Sequence, residues 1–356
     1  MKLQNNKISN KIMYKTILLT GGCGFIGSHC CVQLIENGYN VIIIDNLVNS
    51  DKNTLFVIEK LTNVLPKFYS ADVSDEKAIT MIFRDNKIDV VIHLAGFKSV
   101  AESKSDPLKY YDNNVCGIIN LLKCMKTHCV SKIIFSSSAS VYGNSDEIPI
   151  NENCNIDILN PYATTKYISE LILKDCAESY GISCICLRYF NPVGCHASGL
   201  LGENYKSEPS NLFPIIISVY CGYQEKLEIF GSDYDTKDGT AIRDYIHVED
   251  LATGHLKALK YIESNEIIKY EIFNLGTGIG YSVLDVIQKF ELHIGKKIPI
   301  IFKDKRIGDP RILLANIFKA KTKLGFDPIY NLDDMILSSV QNIGTLFEWS
   351  EKKYKQ

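Results

Sequence analysis

The sequence predicts an α/β fold: a doubly wound parallel sheet with a smaller, partly interwoven C-terminal substrate domain. Three features predict it. Short apolar runs recur along the first 190 residues. Stretches of helical length separate them. A glycine-rich turn joins the first run to the helix that follows. Strands alternating with helices need parallel crossovers, which place helices on both faces of one sheet.

The elements follow in order. Residues 1–14, MKLQNNKISNKIMY, are polar, lack an apolar h-region and contain no arginine. They read as a loose arm, not as a secretory or transit signal. TILLT (16–20) reads as a buried strand, and SHCCVQLIENG (28–38) as a helix closing at Gly38. VIIID (41–45), KFYSAD (67–72), DVVIHLA (89–95), KIIFSSS (132–138) and ISCICLRYF (182–190) supply the next five strands. Helical patterns fill 107–128 and 161–180. Asn160 is a good N-cap for the second of these, and Pro161 suits its first position. After Asn191 the alternation weakens, and Pro192, Pro209 and Pro214 punctuate loops. RDYIHVEDLATGHLKAL (243–259) is again α/β in pattern. These shifts place one domain at 15–190, with a returning segment near 241–260, and a second mainly at 191–356.

Composition excludes several functions. The chain has 356 residues, 46% hydrophobic and 22% charged, with a net charge of -2. No basic field marks it for nucleic acid or an anionic membrane. Its longest apolar stretches, such as LFPIIISVY (212–220), are far too short to span a bilayer. The 12 cysteines show no paired CxxC spacing, so no metal is expected. Cys30, Cys31, Cys184 and Cys186 read as small buried hydrophobes in a reducing compartment, the cytoplasm.

TGGCGFIG (20–27) follows the first strand and opens the first helix. Gly21, Gly24 and Gly27 give a GxxGxxG variant of the Rossmann fingerprint, which lets a pyrophosphate approach the backbone at a helix N-terminus. Asp45 ends the second strand. Its carboxylate can accept from adenosine ribose hydroxyls and would repel a 2′-phosphate, selecting NAD over NADP. Asp72 falls near the adenine. LAGFK (94–98) follows the fourth strand at the carboxyl edge, where ligands bind.

NPYATTK (160–166) puts Tyr162 and Lys166 on one helix face. Alone, this reads as a solvated helix end. SSSASVYG (136–143) changes that, because Ser138 ends a strand at the same crevice. Ser138, Tyr162 and Lys166 resemble the Ser–Tyr–Lys set of the short-chain dehydrogenase/reductase superfamily. Tyr162 would transfer a proton. Lys166 and a positive nicotinamide would lower its pKa toward neutrality, and Ser138 would bond the reacting oxygen.

The resemblance narrows on DNLVNS (45–50), HLAGFKSVAES (93–103), PLKYYDNNV (107–115), LRYFNPVG (187–194), NLFP (211–214), AIRDYIHVEDLA (241–252) and NLGTG (274–278). Over about residues 15–345 the chain resembles the UDP-glucose 4-epimerases, also called UDP-galactose 4-epimerases. The resemblance implies an NAD site in the first domain. Phe25, Ile26, Asp45, Asn46, Leu47, Val48, Asn49 and Ser50 match its lining. Asp72, Val73, Leu94, Ala95, Gly96, Phe97, Lys98 and Asn113 continue it, and Phe190 closes it with Ser138, Tyr162 and Lys166. For the UDP-sugar it implies Asn191, Asn211, Leu212, Phe230, Arg243, Arg306 and Asp309, with Lys98, Ser138 and Tyr162 at the sugar. Arginines at 243 and 306 can pair with diphosphate oxygens.

The reaction implied is reversible inversion of C4 through a 4-keto sugar, interconverting UDP-galactose and UDP-glucose in galactose metabolism. Related 4,6-dehydratases carry an Asp-Glu pair where this chain has Ala139 and Ser140, so dehydration lacks its acid and base. UDP-glucuronate 4-epimerisation is the alternative chemistry. A catalytically silent NAD sensor is the alternative class, though both Tyr162 and Lys166 are kept. Leu313 falls at a position that gates N-acetyl sugars, where tyrosine excludes them and a small residue admits them. Leucine is intermediate, which predicts partial activity on UDP-N-acetyl sugars. Relatives pair helices matching 107–128 and 161–180 across a two-fold axis, which implies a homodimer.

Overall fold

The computed structural model describes residues 15–203, 209, 211–265, 268–306 and 308–343. The arm expected at 1–14 lies outside them. The chain begins with β1 (Thr16–Thr20), α1 (Phe25–Glu36), β2 (Asn40–Asp45), α2 (Thr54–Thr62), β3 (Lys67–Ser70), α3 (Glu76–Asp85) and β4 (Val90–His93). Next come α4 (Val100–Ser105), α5 (Pro107–Tyr111), α6 (Gly117–Thr127), β5 (Lys132–Ser138), α7 (Pro161–Tyr180), β6 (Ser183–Tyr189) and β7 (Asn191–Val193). The remainder is α8 (Leu212–Tyr220), β8 (Leu227–Phe230), β9 (Ile242–His247), α9 (Val248–Ser264), β10 (Tyr270–Leu275), β11 (Gly280–Ser282), α10 (Val283–Ile294), β12 (Ile300–Lys303), β13 (Ile312–Leu313) and α11 (Leu332–Gln341).

Seven parallel strands form the main sheet in the order β10-β6-β5-β4-β1-β2-β3. Side chains alternate across it. Ile17 and Leu19 of β1 enter the apolar layer under α1, α2 and α9. Leu18 enters the opposite layer with Ile118, Leu121 and Leu173. Both faces are therefore covered, which explains why these strands read as continuous apolar runs. Strand order reverses between β1 and β4, and the crevice at their carboxyl ends is the switch point where such sheets bind ligands.

Several boundaries differ from the sequence reading. The first helix starts at Phe25, directly after the glycine turn, and ends at Glu36. Gly38 takes a φ of +82° two residues later, beyond the helix end. The helix expected over 107–128 is split by a π-helical turn at Asp112–Cys116. The sixth strand is trimmed to 183–189, and Asn191–Val193 forms a separate short strand on β9. The seventh strand of the main sheet, β10, was hidden behind the weak pattern after Asn191. Its fellow strands β8 and β12 make a separate two-stranded sheet. All 12 cysteines are free, and Cys116 and Cys129 are exposed rather than core.

Candidate active site

The glycine turn is built for close approach. Gly21 has φ +70°, and its N–H donates to the Ile44 carbonyl at 2.8 Å. A Cβ on Gly27 would stand 2.1 Å from the Gly21 carbonyl oxygen, so only glycine lets α1 start here. Gly24 caps α1 with no side chain, leaving the first amides of the helix pointing into the crevice. This cradle fits a dinucleotide pyrophosphate.

Asp45 is 7% exposed and already engaged. It accepts from Cys23 N at 3.0 Å, Leu47 N at 2.9 Å and Ser50 Oγ at 2.7 Å. It therefore caps the strand end and fixes the 46–50 loop, with lone pairs still able to meet a ribose. Asn46 donates to Asp72 at 2.7 Å, joining the two predicted adenosine residues. Val48 and Asn49 are exposed on the rim. Val73 is buried instead, with Gly117 packed against it. Asn114 secures the 94–98 loop: it accepts from Phe97 N at 2.9 Å and donates to the Phe97 carbonyl at 3.1 Å and Thr165 Oγ1 at 3.1 Å. Asn113 donates to Asn114 at 2.8 Å, and Lys98 pairs with Glu203 at 2.6 Å.

Ser138, Tyr162 and Lys166 converge at the carboxyl end of β5 and the first turns of α7. Asn160 caps α7 by accepting from Ala163 N, with Pro161 in the first turn. The Ser138 hydroxyl stands near enough to the Tyr162 phenol to favour its ionised form. Ser138 also accepts from Ser140 N at 3.2 Å. Lys166 is 5% exposed, and its Nζ lies 5.9 Å from the Tyr162 ring centre. It donates to the Ser136 carbonyl at 2.6 Å.

Burial pushes the Tyr162 phenol up, and the Ser138 hydroxyl opposes that. Desolvation of a phenolate outweighs this neighbour. Burial also lowers the Lys166 ammonium to about 8, opposed by Glu170.

On the opposite wall, Arg243 and Asp309 form an ion pair at 2.5 Å. The Arg306 guanidinium stacks 3.7 Å from the Phe230 ring centre. Leu313 on β13 sits opposite Arg243 and packs with Ala139, Phe190 and Tyr167. Asn191 Oδ1 is buried with no hydrogen-bond partner among the described residues, which suits a polar ligand at that spot. Asn211 caps α8 by position, but its side chain makes no cap bond. Leu212 is half-buried beside it.

The NAD dependent epimerase/dehydratase family matches residues 17–276. This chain belongs to it. A UDP-glucose 4-epimerase of Bacillus subtilis is 45% identical over 91% of this chain and 95% of its own length. One from Dictyostelium discoideum is 45% identical over 90% and 93%. Among solved structures, a UDP-glucose 4-epimerase from Bifidobacterium longum in complex with NAD+ and UDP has a TM-score of 0.89 at 45% identity, covering 93% of this chain and 98% of that one. Another, from Stenotrophomonas maltophila with bound NAD and formylated UDP-arabinopyranose, has a TM-score of 0.90 at 40% identity, covering 94% and 99%.

As an epimerase/dehydratase family member, the chain departs from the dehydratase pattern at the turn after Ser138. Ala139 is buried, and Ser140 presents a buried Oγ with no hydrogen-bond partner. Sequence reasoning missed Asn114, Glu170 and Arg188. Asn114 was overlooked beside Asn113. Glu170 was findable, because it stands four residues after Lys166 on the same face.

Proposed function

We propose that this protein is an NAD-dependent UDP-glucose 4-epimerase, an isomerase that inverts C4 of UDP-galactose and UDP-glucose. The observation that carries this is the convergence of half-buried Ser138 and Tyr162 with buried Lys166 beside the glycine cradle. Family membership and the named relatives support it.

The Gly21–Gly27 turn and Asp45 would hold NAD, which would supply reversible hydride acceptance at C4. The chain's own residues do the rest. Tyr162 removes the proton from the 4-hydroxyl and gives it back. Ser138, beside Tyr162, steadies the reacting oxygen. Arg243, Arg306, Asp309 and Asn191 hold the UDP part. Tight UDP contacts with few sugar contacts let the 4-keto sugar turn over between the two transfers. In this proposal residues 15–190, with α9 and β10 returning, serve the cofactor, and the later segments serve the sugar nucleotide.

The test is incubation with UDP-galactose, followed by NMR for UDP-glucose, with Tyr162→Phe alongside. Epimerisation without net NADH, lost in the variant, supports the proposal. Net NADH release, or no reaction even with added NAD, overturns it.

Two finer readings belong here. Leu108, Leu171 and Tyr180 on α5 and α7 are exposed apolar side chains, which favours a homodimer through these helices. A monomer mass by light scattering at micromolar concentration refutes it. A cytoplasmic location rests on the 12 free cysteines, which suit a reducing compartment. Among the described residues no helix is long and apolar enough to cross a membrane.

A further inference from the structure

A fully buried ion pair lies directly behind the proton-handling residues. Glu170 is 1% exposed and Arg188 is 2% exposed. Arg188 Nε donates to Glu170 Oε1 at 2.9 Å, and its Nη2 donates to Oε2 at 2.6 Å. This bidentate geometry satisfies both carboxylate oxygens. Ser137 Oγ adds a third bond to Oε1 at 2.5 Å. The guanidinium also stacks 4.7 Å from the Tyr142 ring centre. Tyr142 in turn donates to Asn274 at 2.6 Å.

The pair joins three elements at the site. Tyr162, Lys166 and Glu170 follow one another at four-residue steps along α7. Ser136, Ser137 and Ser138 are consecutive on β5. Lys166 holds the Ser136 carbonyl and Glu170 holds the Ser137 hydroxyl. Helix and strand are thus stitched at two successive residues. Arg188 lies opposite Ser137 in the β5–β6 register and closes the stitch from the third element.

We propose that the Glu170–Arg188 pair is a positioning unit for the reaction: Glu170 sets an anion one turn from Lys166 on α7 and fixes the Ser136–Ser138 strand end against that helix. This rests on the epimerase reading. The surroundings of Lys166 support it. On α7 it faces Tyr162 and Glu170. From β5 it meets the Ser136 carbonyl and the Phe135 ring, 5.0 Å away. The Gly96 backbone approaches from the loop after β4. On β4, His93 bonds Thr20 at 2.7 Å, and burial together with the Lys166 charge lowers it to about 3, so it is neutral. On β6 are Arg188, bound to Glu170, and Tyr189, whose phenol burial pushes up and keeps neutral. Glu170 is the one anion among these groups. Its charge opposes the burial that drives Lys166 toward the neutral amine.

The test is the pH profile of epimerisation in Glu170→Gln, which keeps the shape and one acceptor but removes the charge. Loss of the anion lowers the Lys166 pKa, so the ammonium is lost at lower pH. The alkaline limb of kcat should move acidward by about one pH unit. Because Glu170→Gln leaves Arg188 buried and unpaired, it is paired with the double variant Glu170→Gln/Arg188→Met. That variant removes both charges, a change that buried pairs often tolerate. Circular dichroism and UDP affinity report whether each variant is folded. An acidward limb in folded Glu170→Gln supports the proposal, and the double variant, which also loses the Arg188 cation, should move less far in the same direction. A folded Glu170→Gln whose limb stays in place overturns it, whether kcat is unchanged or falls equally at every pH; where only the double variant folds, wild-type kcat at every pH overturns it. Failure of the wild-type protein to epimerise would instead sink the underlying functional reading, and the two results are distinct.

Discussion

Lys166 reaches past Tyr162 to donate its shortest bond to the carbonyl of Ser136, at 2.6 Å from a buried ammonium. That placement has a stability cost. Burial lowers the Lys166 pKa from 10.5 to about 8. Between those values the unfolded chain holds a proton that the folded chain has released. Stability from this group therefore rises as pH goes from about 8 to 10.5, and the full penalty is present below 8. Lys166→Met should lose epimerisation yet be more stable at pH 7 by on the order of 1–3 kcal/mol, after allowing for the lost bond to Ser136. Denaturant melts at pH 7 and pH 9.5 check both halves. The gain should shrink at the higher pH. A variant less stable than wild type at pH 7 refutes the account.

The glycine turn gives a steric prediction. A Cβ on Gly27 meets the Gly21 carbonyl oxygen at 2.1 Å and the Gly22 Cα at 2.8 Å. Both are backbone atoms, so no rotamer relieves the clash. Gly27→Ala should push α1 off the turn and lose cofactor. Equilibrium dialysis against NAD measures this directly. Binding within threefold of wild type would show that α1 can shift without disturbing the cradle.

How much of this was legible in the sequence depended on locality. β1, β5 and α7 were read to the residue, because each is bounded by strong signals: a glycine turn, a serine run, an Asn-Pro cap. The Ser138–Tyr162–Lys166 set was found because its order and spacing are local features of two elements. β10 was not found. Its partner β6 lies about 85 residues earlier, and pairing at that distance leaves no periodic trace in the chain. The pairing of Arg243 with Asp309 was hidden for the same reason, as 66 residues separate them. The phenol's upward shift was also out of reach, because it depends on burial from all sides.

The Arg243–Asp309 pair yields the third prediction. Arg243 is only 12% exposed in its side chain and half-encloses the carboxylate of Asp309. If Arg243 holds the diphosphate, Arg243→Met removes a charge-assisted contact made in ground and transition states alike. KM for UDP-galactose should rise about 10–100-fold with kcat changed little. Asp309→Asn should raise KM less, because Arg243 keeps its charge. A fall in kcat with KM unchanged in Arg243→Met would place this residue elsewhere in the reaction.

Leu313 gives the last prediction. It is buried at 9% exposure, one β-bridge from Arg243, and packs on Phe190 and Ala139. Ala139 directly follows Ser138, so on the proposed reading the leucine borders the sugar end of the site. Its side chain is shorter than tyrosine and bulkier than alanine. The wild-type protein should therefore turn over UDP-N-acetylglucosamine, but more slowly than UDP-galactose. Leu313→Ala should raise the N-acetyl rate relative to UDP-galactose, and Leu313→Tyr should abolish it while leaving UDP-galactose turnover within a few-fold. One or two methylenes in such a pocket are worth about 1–3 kcal/mol, or roughly 10–200-fold in the ratio of kcat/KM values. Coupled assays on both substrates give the ratio for each variant. No detectable N-acetyl turnover in wild type, together with none in Leu313→Ala, would show that another wall of the pocket sets the limit.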